Sequence, residues 1–520
     1  MAASWLKDAV FYEIYPQSFY DSNGDGIGDI PGIIQKLDYV KSLGCNALWI
    51  NPWYDSPFKD AGYDVRDYKS IAPRYGTLAD AEALFRAAHE KGIHVLIDLV
   101  AGHTSEEHPW FLQSGEETPN EYSDRFIWTD SAFTPGDGMP FVGGEFPRDA
   151  TYIINFFKCQ PALNYGYRDI TQPWQQSVDA PGPRATREAM KDVMRFWLDL
   201  GCDGFRVDMA DCLVKKDTPD KQATQEIWRD LNGMVHREYP EAAMVSEWNQ
   251  PTMSLNCGFD MDFYLDWYGN GYSSLMRYYR LDRQGNILED ESYFRADSGA
   301  DVSRFLADYL PKYEASREKG LWCFITGNHD CKRTSFNLTE QERKLAYAFL
   351  LTMPGAPYIY YGDEIGMRYR FVPTKEGGYH RTGSRTPMQW SGGENLGFST
   401  GKAEDLYLPV DPAADAHTVE QQERDPDSML NHIRRLTALR HSREELQSDS
   451  PFAVYSAEPG SRLFAYKRGS LLLAVNPGRA DMELKLDGEY CPVFCFGSAA
   501  VEGETLKLGG QSFAVLEPKA

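Results

Sequence analysis

Short apolar runs alternate along this chain with stretches in which apolar residues recur every three or four positions. AVFYEIYP (9–16) is a continuous run that predicts a strand. A helix follows from Asp29-Ile30-Pro31, with Asp as cap and Pro in the first turn. Its apolar positions are Ile33, Leu37 and Val40, and Gly44 ends it. ALWINP (47–52) predicts a second strand, Thr77 to Gly92 a helix with Ala81, Leu84, Phe85 and Ala88 on one face, and HVLIDLV (94–100) a third strand. The rhythm then breaks: residues 104–168 carry Gly, Pro, polar residues and aromatics without a period and read as an inserted subdomain. Alternation resumes with a helix at 184–200, strand GFRVDMA (204–210), a helix around Ile227, Leu231 and Met234, and strand AMVSEW (243–248). A short strand near FDMDFY (259–264), a helix at 301–318 and a strand within LWCFITGNHD (321–330) come next. A helix opening on the capping-box pair Thr339 and Glu342, strand APYIYYGDE (356–364), a Gly-rich excursion (366–426) and a helix at 427–447 complete the set.

Eight strands, each followed by a helix, predict an α/β fold, a (β/α)8 barrel formed by residues 1–103 and 169–450 with 104–168 inserted after strand 3. The alternative is an open doubly wound sheet, but no Gly-rich phosphate loop follows the first strand. From 451 the pattern changes to short strands such as RLFAYKR and SLLLAV, which predict a C-terminal antiparallel β-sandwich over 451–520.

Charge narrows the partners. The formal net charge of -24 repels phosphate backbones and anionic lipid, so nucleic acid and membrane surfaces are poor partners, while a neutral sugar is not repelled. Aromatics supply 13% of the chain, enough for a large core and for faces that meet the apolar side of sugar rings. Nine scattered cysteines without CxxC pairs, and an opening segment without an apolar stretch behind a basic end, predict reduced thiols in a cytoplasm.

Candidate chemistry gathers where the predicted strands end. Asp208 ends the fourth, Glu247 the fifth and Asp330 the seventh, and His103 follows the third. Arg206 and Asp208 are two apart in a strand and so share a face. The C-terminal rim of such a barrel is where active sites form. Any one of these acids could be a surface charge; together with His and Arg on one rim they predict a catalytic centre.

These segments resemble the signatures of the α-amylase family of glycoside hydrolases. DLVAGHTS (98–105), GFRVDMA, SEW (246–248) and TGNHD (326–330) look like its four principal motifs, in order. QPALN (160–164), MPGAPYIYYGDEIG (353–366) and RTPMQW (385–390) look like further stretches of the family, and of its oligo-1,6-glucosidase, α-glucosidase and trehalose synthase branch in particular. The resemblance implies a retaining mechanism, with two carboxyl groups about 5–5.5 Å apart across the bond to be cut. It implies Asp208 as nucleophile, kept ionised by Arg206, and Glu247 as general acid and then base. It implies that Asp330 holds the 2- and 3-hydroxyls, that His103 and His329 bond sugar hydroxyls, and that Tyr63 stacks under the ring. Asp60 and Arg385 would grip the terminal 4- and 6-hydroxyls and close the pocket, and Phe156 and Gln160 would stand near the scissile bond.

The chain departs from the family at Gly102, where Asn usually precedes the His and helps hold calcium, and at Ala162, where Asp is usual. Met209 matches neither residue that tracks 1,6 or 1,4 linkages, so only short α-glucosides are implied. A second calcium candidate is Asp21-Ser-Asn23-Gly-Asp25-Gly-Ile27-Gly-Asp29, with side-chain oxygens at alternate positions, the Ile27 carbonyl between them and Gly at the sixth position. The twelfth position is Gly32 instead of Glu, and the plain reading is a Gly-rich turn; similar loops in this branch imply a structural calcium ion. Two other functions remain: glucosyl transfer or isomerisation through the same intermediate, and a barrel without catalysis that only binds. Retention of all three carboxylates weighs against the last.

Overall fold

The computed structural model describes residues 3–376 and 381–519; residues 377–380 of the Gly-rich excursion, and the outermost residues of the predicted domains, lie outside that description. Eight short parallel strands form one sheet: β1 (Phe11–Ile14), β2 (Ala47–Ile50), β3 (His94–Leu99), β4 (Gly204–Val207), β5 (Ala243–Ser246), β6 (Met261–Tyr264), β7 (Leu321–Phe324) and β8 (Tyr358–Tyr360). Neighbours pair in chain order from β1 to β7, and β8 pairs with β1. A parallel bridge between Ile325 and Tyr358 joins β7 to β8, so the sheet curls into a barrel. The strands are buried along their length, as a sheet covered by helices requires.

The barrel interior carries large side chains in layers. Trp49, Phe263 and Tyr358, from β2, β6 and β8, pack with ring centroids 4.8–6.2 Å apart. The Arg206 guanidinium, from β4, lies 4.9 Å from the Trp49 ring. Inward residues from alternate strands sharing a layer are what a closed eight-stranded sheet produces. Glu13 on β1 and Asp98 on β3 put carboxylates into this interior, both fully buried.

Local signals set the helices. Asp29 caps its helix by accepting from the Gly32 amide, yet the predicted single helix is two, Ile30–Gln35 and Leu37–Ser42, broken at Lys36 (φ −105°, ψ 4°). Thr77 with Asp80, and Thr339 with Glu342, form complete capping boxes. The helix expected at 184–200 begins earlier, at Pro181, because Pro suits a first turn. Strands are shorter than the apolar runs: Asp208 and Glu247 stand one residue past β4 and β5, and TGNHD lies in the loop after β7.

The 104–168 stretch holds a short helix (Pro109–Ser114) and a hairpin of Phe141–Gly143 with Thr151–Ile153, over an aromatic cluster of Phe111, Trp128 and Tyr152. Beyond 451 a five-stranded and a three-stranded antiparallel sheet face each other. Leu472, Leu484, Leu506 and Leu516 fill the space between them, and Phe464 and Tyr466 join the barrel's own core. Arg440, buried in the helix Met429–Ser442, donates to the carbonyls of Leu351, Met353 and Gly355 and ties that helix under the barrel.

Candidate active site

A pocket of about 110 Å³ opens at the C-terminal ends of the strands, walled by Asp60, Tyr63, His103, Phe156, Gln160, Asp208, Met209, Glu247, Asp330 and Arg381 among others. Pockets that enclose a drug-sized ligand run to about 300–1,000 Å³, so this one is small.

Behind its wall lies Arg206. Its Nη1 donates to Asp98 Oδ1 at 2.7 Å and Asp208 Oδ1 at 3.1 Å, and its Nη2 lies 2.8 Å from Glu247 Oε2. One cation thus faces three carboxylates. Asp98 is anchored in turn by the Trp49 indole N–H at 2.9 Å and the Tyr63 hydroxyl at 3.2 Å. The chain turns abruptly at Met209, which adopts a left-handed conformation (φ 40°, ψ 54°). A side chain with a Cβ held there costs about 1–3 kcal/mol. The turn aims the Met209 amide at Glu247 Oε2 (3.0 Å) and so fastens the acid to the residue after Asp208.

Burial raises the pKa of Asp208 well above the ordinary carboxylate value, Glu247 adds to it, and Arg206 opposes both. Burial also raises Glu247; Arg206 opposes, and Asp330 and Asp98 add. The two carboxyl groups therefore titrate together. Arg206 pairs with Asp208 as expected, and Glu247 shares the same guanidinium.

Asp330 is 36% exposed in the pocket. Burial disfavours its charge, but Arg381 and Arg385 outweigh that and hold its pKa well below the usual range. Both arginines reach Asp330 Oδ1 at 2.8 Å. Arg381 also pairs with Asp60 Oδ1, and Gln160 donates to Asp60 Oδ2 at 2.7 Å. The loop that presents Asp60 is bent at Phe58 (φ 58°) and Ala61 (φ 56°) and held by Asp64, which accepts from the Lys59 and Asp60 amides and the Ser56 hydroxyl.

The structure separates lining residues from supporting ones. Asp60, Tyr63, His103, Phe156, Gln160, Asp208, Glu247 and Asp330 border the pocket, as expected. Arg206, His329 and Arg385 are at most 1% exposed and stand behind its wall. Arg385 is therefore not the partner of Asp60 across the pocket; Arg381 is, and Arg385 spends its guanidinium on Asp330, Glu376 and the His329 carbonyl. His329 sits with Nδ1 2.8 Å from Glu13 and Nε2 2.8 Å from the Tyr63 hydroxyl and 3.4 Å from Asp330, so it orients both. Burial keeps His329 neutral, and brings His103 down to about 3. His103 Nε2 lies 3.1 Å from the Tyr63 carbonyl, which fixes the ring in the wall. Sequence reasoning did not single out Arg381, Asp98, Glu13 or Asp64, although Asp98 opens the DLVAGHTS segment and Arg381 stands four residues before Arg385.

The 21–29 loop lies apart. Asp21 accepts from the amides of Asn23, Gly24 and Gly26 and from the Ser399 hydroxyl; Asn23 accepts from Asp25, Asp25 from Ile27, and Asp29 from Ser22 and Gly32. Among the described residues no three acidic, His or Cys side chains converge as metal ligands would. The donors are all oxygen, the chemistry calcium takes, but Asp21 already fills its four acceptor positions.

The sequence pattern of the α-amylase catalytic domain matches residues 13–449. The chain is 34% identical to the trehalose synthase/amylase TreS of Mycolicibacterium smegmatis, over 84% of this chain and 76% of that protein. It is 31% identical to the glucan 1,6-alpha-glucosidase of Streptococcus pneumoniae, over 96% of this chain and 97% of that protein. Its structure superposes with a TM-score of 0.81 on an inactive double mutant of MutB in complex with isomaltulose, at 26% identity, covering 99% and 100% of the two chains.

Proposed function

The chain belongs to the α-amylase family, and from that premise we propose that it is a retaining α-glucosidase that removes single glucoses from the non-reducing end of short α-glucosides. The observation that carries this reading is the small pocket that Asp208, Glu247 and Asp330 border, with Arg206 pairing the first two from behind, and which Asp60 and Arg381 close. Asp208 attacks the anomeric carbon while Glu247 protonates the departing oxygen. Glu247 then takes a proton from water as water releases the sugar from Asp208. The charge-assisted pair of Asp60 and Arg381 would hold a terminal hydroxyl and leaves no room for a further ring. Tyr63, fixed by Asn51, Asp98 and His329, offers its ring to the bound sugar.

A maltoheptaose digest tests this. Glucose and chains shortened by one unit should appear first, and proton NMR of the earliest product should show the α-anomer, because two displacements restore the configuration. Early internal fragments would mean an open cleft, and initial β-anomer an inverting enzyme.

The names of the relatives favour a second reading, in which an acceptor sugar or the released sugar itself takes glucose from Asp208. Products from maltose, isomaltose, trehalose and sucrose separate the two: new disaccharides mean transfer, glucose alone means hydrolysis. Among the described residues no helix is long and apolar enough to cross a membrane, and nine unpaired cysteines suit a reducing cytoplasm.

For the loop at 21–29, calcium with a structural role is the proposal, supported by its all-oxygen donors Asn23, Asp25, Asp29 and the Ile27 carbonyl, with Asp21 exchanging one of its four hydrogen bonds for the ion. An ion bound only by the folded chain adds about 2.7 kcal/mol at a concentration a hundred times its Kd. Chelation should then lower Tm, and calcium restore it. Metal-free protein with an unchanged Tm in chelator returns the loop to an ordinary turn.

A further inference from the structure

A second cavity, of about 360 Å³, adjoins the catalytic pocket across the ring of Phe156, which borders both. One wall is the segment that runs on from the nucleophile, Cys212 to Asp217; the other is the 139–156 part of the insert. None of Asp60, Arg381 and Asp330, the groups at the closed end of the catalytic pocket, borders it. Phe156 is the residue through which it meets the catalytic pocket, on the side away from that closed end.

Its charge runs against that of the molecule. In a chain of net charge -24 this cavity is bordered by three lysines, Lys215, Lys216 and Lys221. Lys216 pairs with Asp137, and Lys221 lies 3.9 Å from Asp211. Asp217 turns its oxygens to the amides of Thr218, Ala223 and Thr224 at the start of the helix Gln222–Glu238. Lys215 donates at 2.8 Å to Asn155 Oδ1 and at 2.8 Å to the Cys212 carbonyl, both neutral, and among the described residues it makes no ion pair. An ammonium has three donors, so one remains. Burial brings Lys215 down to about 8, with Cys212 and Asp211 opposing the shift and Lys221 adding to it. Asn155 in turn donates to the Gly102 carbonyl at 2.9 Å and lies 3.5 Å from His103, so Lys215 is tied to the wall of the catalytic pocket.

We propose that this cavity seats the leaving group and selects α-glucosides whose aglycone carries a phosphate or a carboxylate, with Lys215 as the residue that binds the anion and Lys221 beside it. The inference rests on the glucosidase reading and adds the substrate class. Charge-assisted hydrogen bonds are roughly twice as strong as neutral ones, so an anion here distinguishes itself from a neutral isostere.

Matched pairs test it: trehalose against trehalose 6-phosphate for the phosphate, and 2-O-α-glucosylglycerol against 2-O-α-glucosylglycerate for the carboxylate. In each pair kcat/KM of the wild type is compared, and calorimetric binding to Asp208→Asn is measured, which needs no turnover. The anionic member of at least one pair should be favoured about tenfold or more by both measures, and which pair responds identifies the anion. Lys215→Met should bring the preference to about one, and Lys215→Arg should retain most of it. Equal binding within both pairs, or a preference that survives Lys215→Met, overturns the proposal. If no glucoside is cleaved while the anionic member still binds better, the glucosidase reading fails and the anion site stands.

Discussion

Asp208→Asn should fold as the wild type does and lose turnover by more than about 10⁴-fold, roughly 5.5 kcal/mol of transition-state stabilisation at 1.36 kcal/mol per tenfold. The substitution keeps shape and volume and removes only the charge that forms the covalent bond. Arg206 keeps Asp98 and Glu247 as partners, so it is not left unpaired. The stability change has a sign. Burial and Glu247 raise Asp208 above its unfolded pKa, so the folded state holds a proton that the unfolded state releases. Its ionisation therefore costs stability progressively as pH rises from the unfolded value, near 4, through the raised folded value. At neutral pH the Asn variant should show a Tm equal to or above that of the wild type. Near-normal kcat in a folded variant would remove Asp208 from the mechanism, and a steep fall in Tm would mean its charge is structural.

Glu247→Gln should lose about 10²–10⁴-fold on natural glucosides, the range a general acid contributes. It should recover the first step on 4-nitrophenyl α-glucoside, whose leaving group needs no proton. Breakdown of the intermediate still lacks its base, so a burst of nitrophenol should precede a slow steady state. Azide, which attacks without one, should speed that phase and yield α-glucosyl azide. The pH profile gives a second readout. In the wild type, activity on natural substrate should fall as pH rises and the Asp208–Glu247 pair loses the proton the acid must supply, and fall at low pH as the pair takes up a second. The alkaline limb should flatten in Glu247→Gln assayed with the nitrophenyl substrate. An unchanged alkaline limb, or no burst, would assign the proton to another group.

Much of the barrel was legible because its signals are short-range. A buried parallel strand is an uninterrupted apolar run, and a capping box needs only Thr339 and Glu342, three residues apart. Strand ends were less legible. An apolar run does not show where the ladder stops, so Asp208 and Glu247 were placed in strands they only follow. The break at Lys36 carried no signal either, since Ile33, Leu37 and Val40 keep helical spacing across it.

The sequence by itself determined the alternation of strands and helices, the family motifs, and the residues that would carry the reaction, Asp208 and Glu247. Each is encoded within a few consecutive positions, where covalent geometry limits the outcomes. Tertiary structure alone decided which arginine meets Asp60, because Arg381 and Arg385 fall on opposite sides of one 3-10 turn, Thr382–Ser384, and only the packing around Asp330 tells them apart. It decided that Glu13, Asp98 and His329 form a buried support beneath the pocket, joining strands hundreds of residues apart. It brought Lys215 against Asn155, sixty residues earlier, where among the described residues it makes no ion pair. Such contacts depend on how the closed sheet turns distant side chains inward, and no local pattern of polar and apolar residues records that.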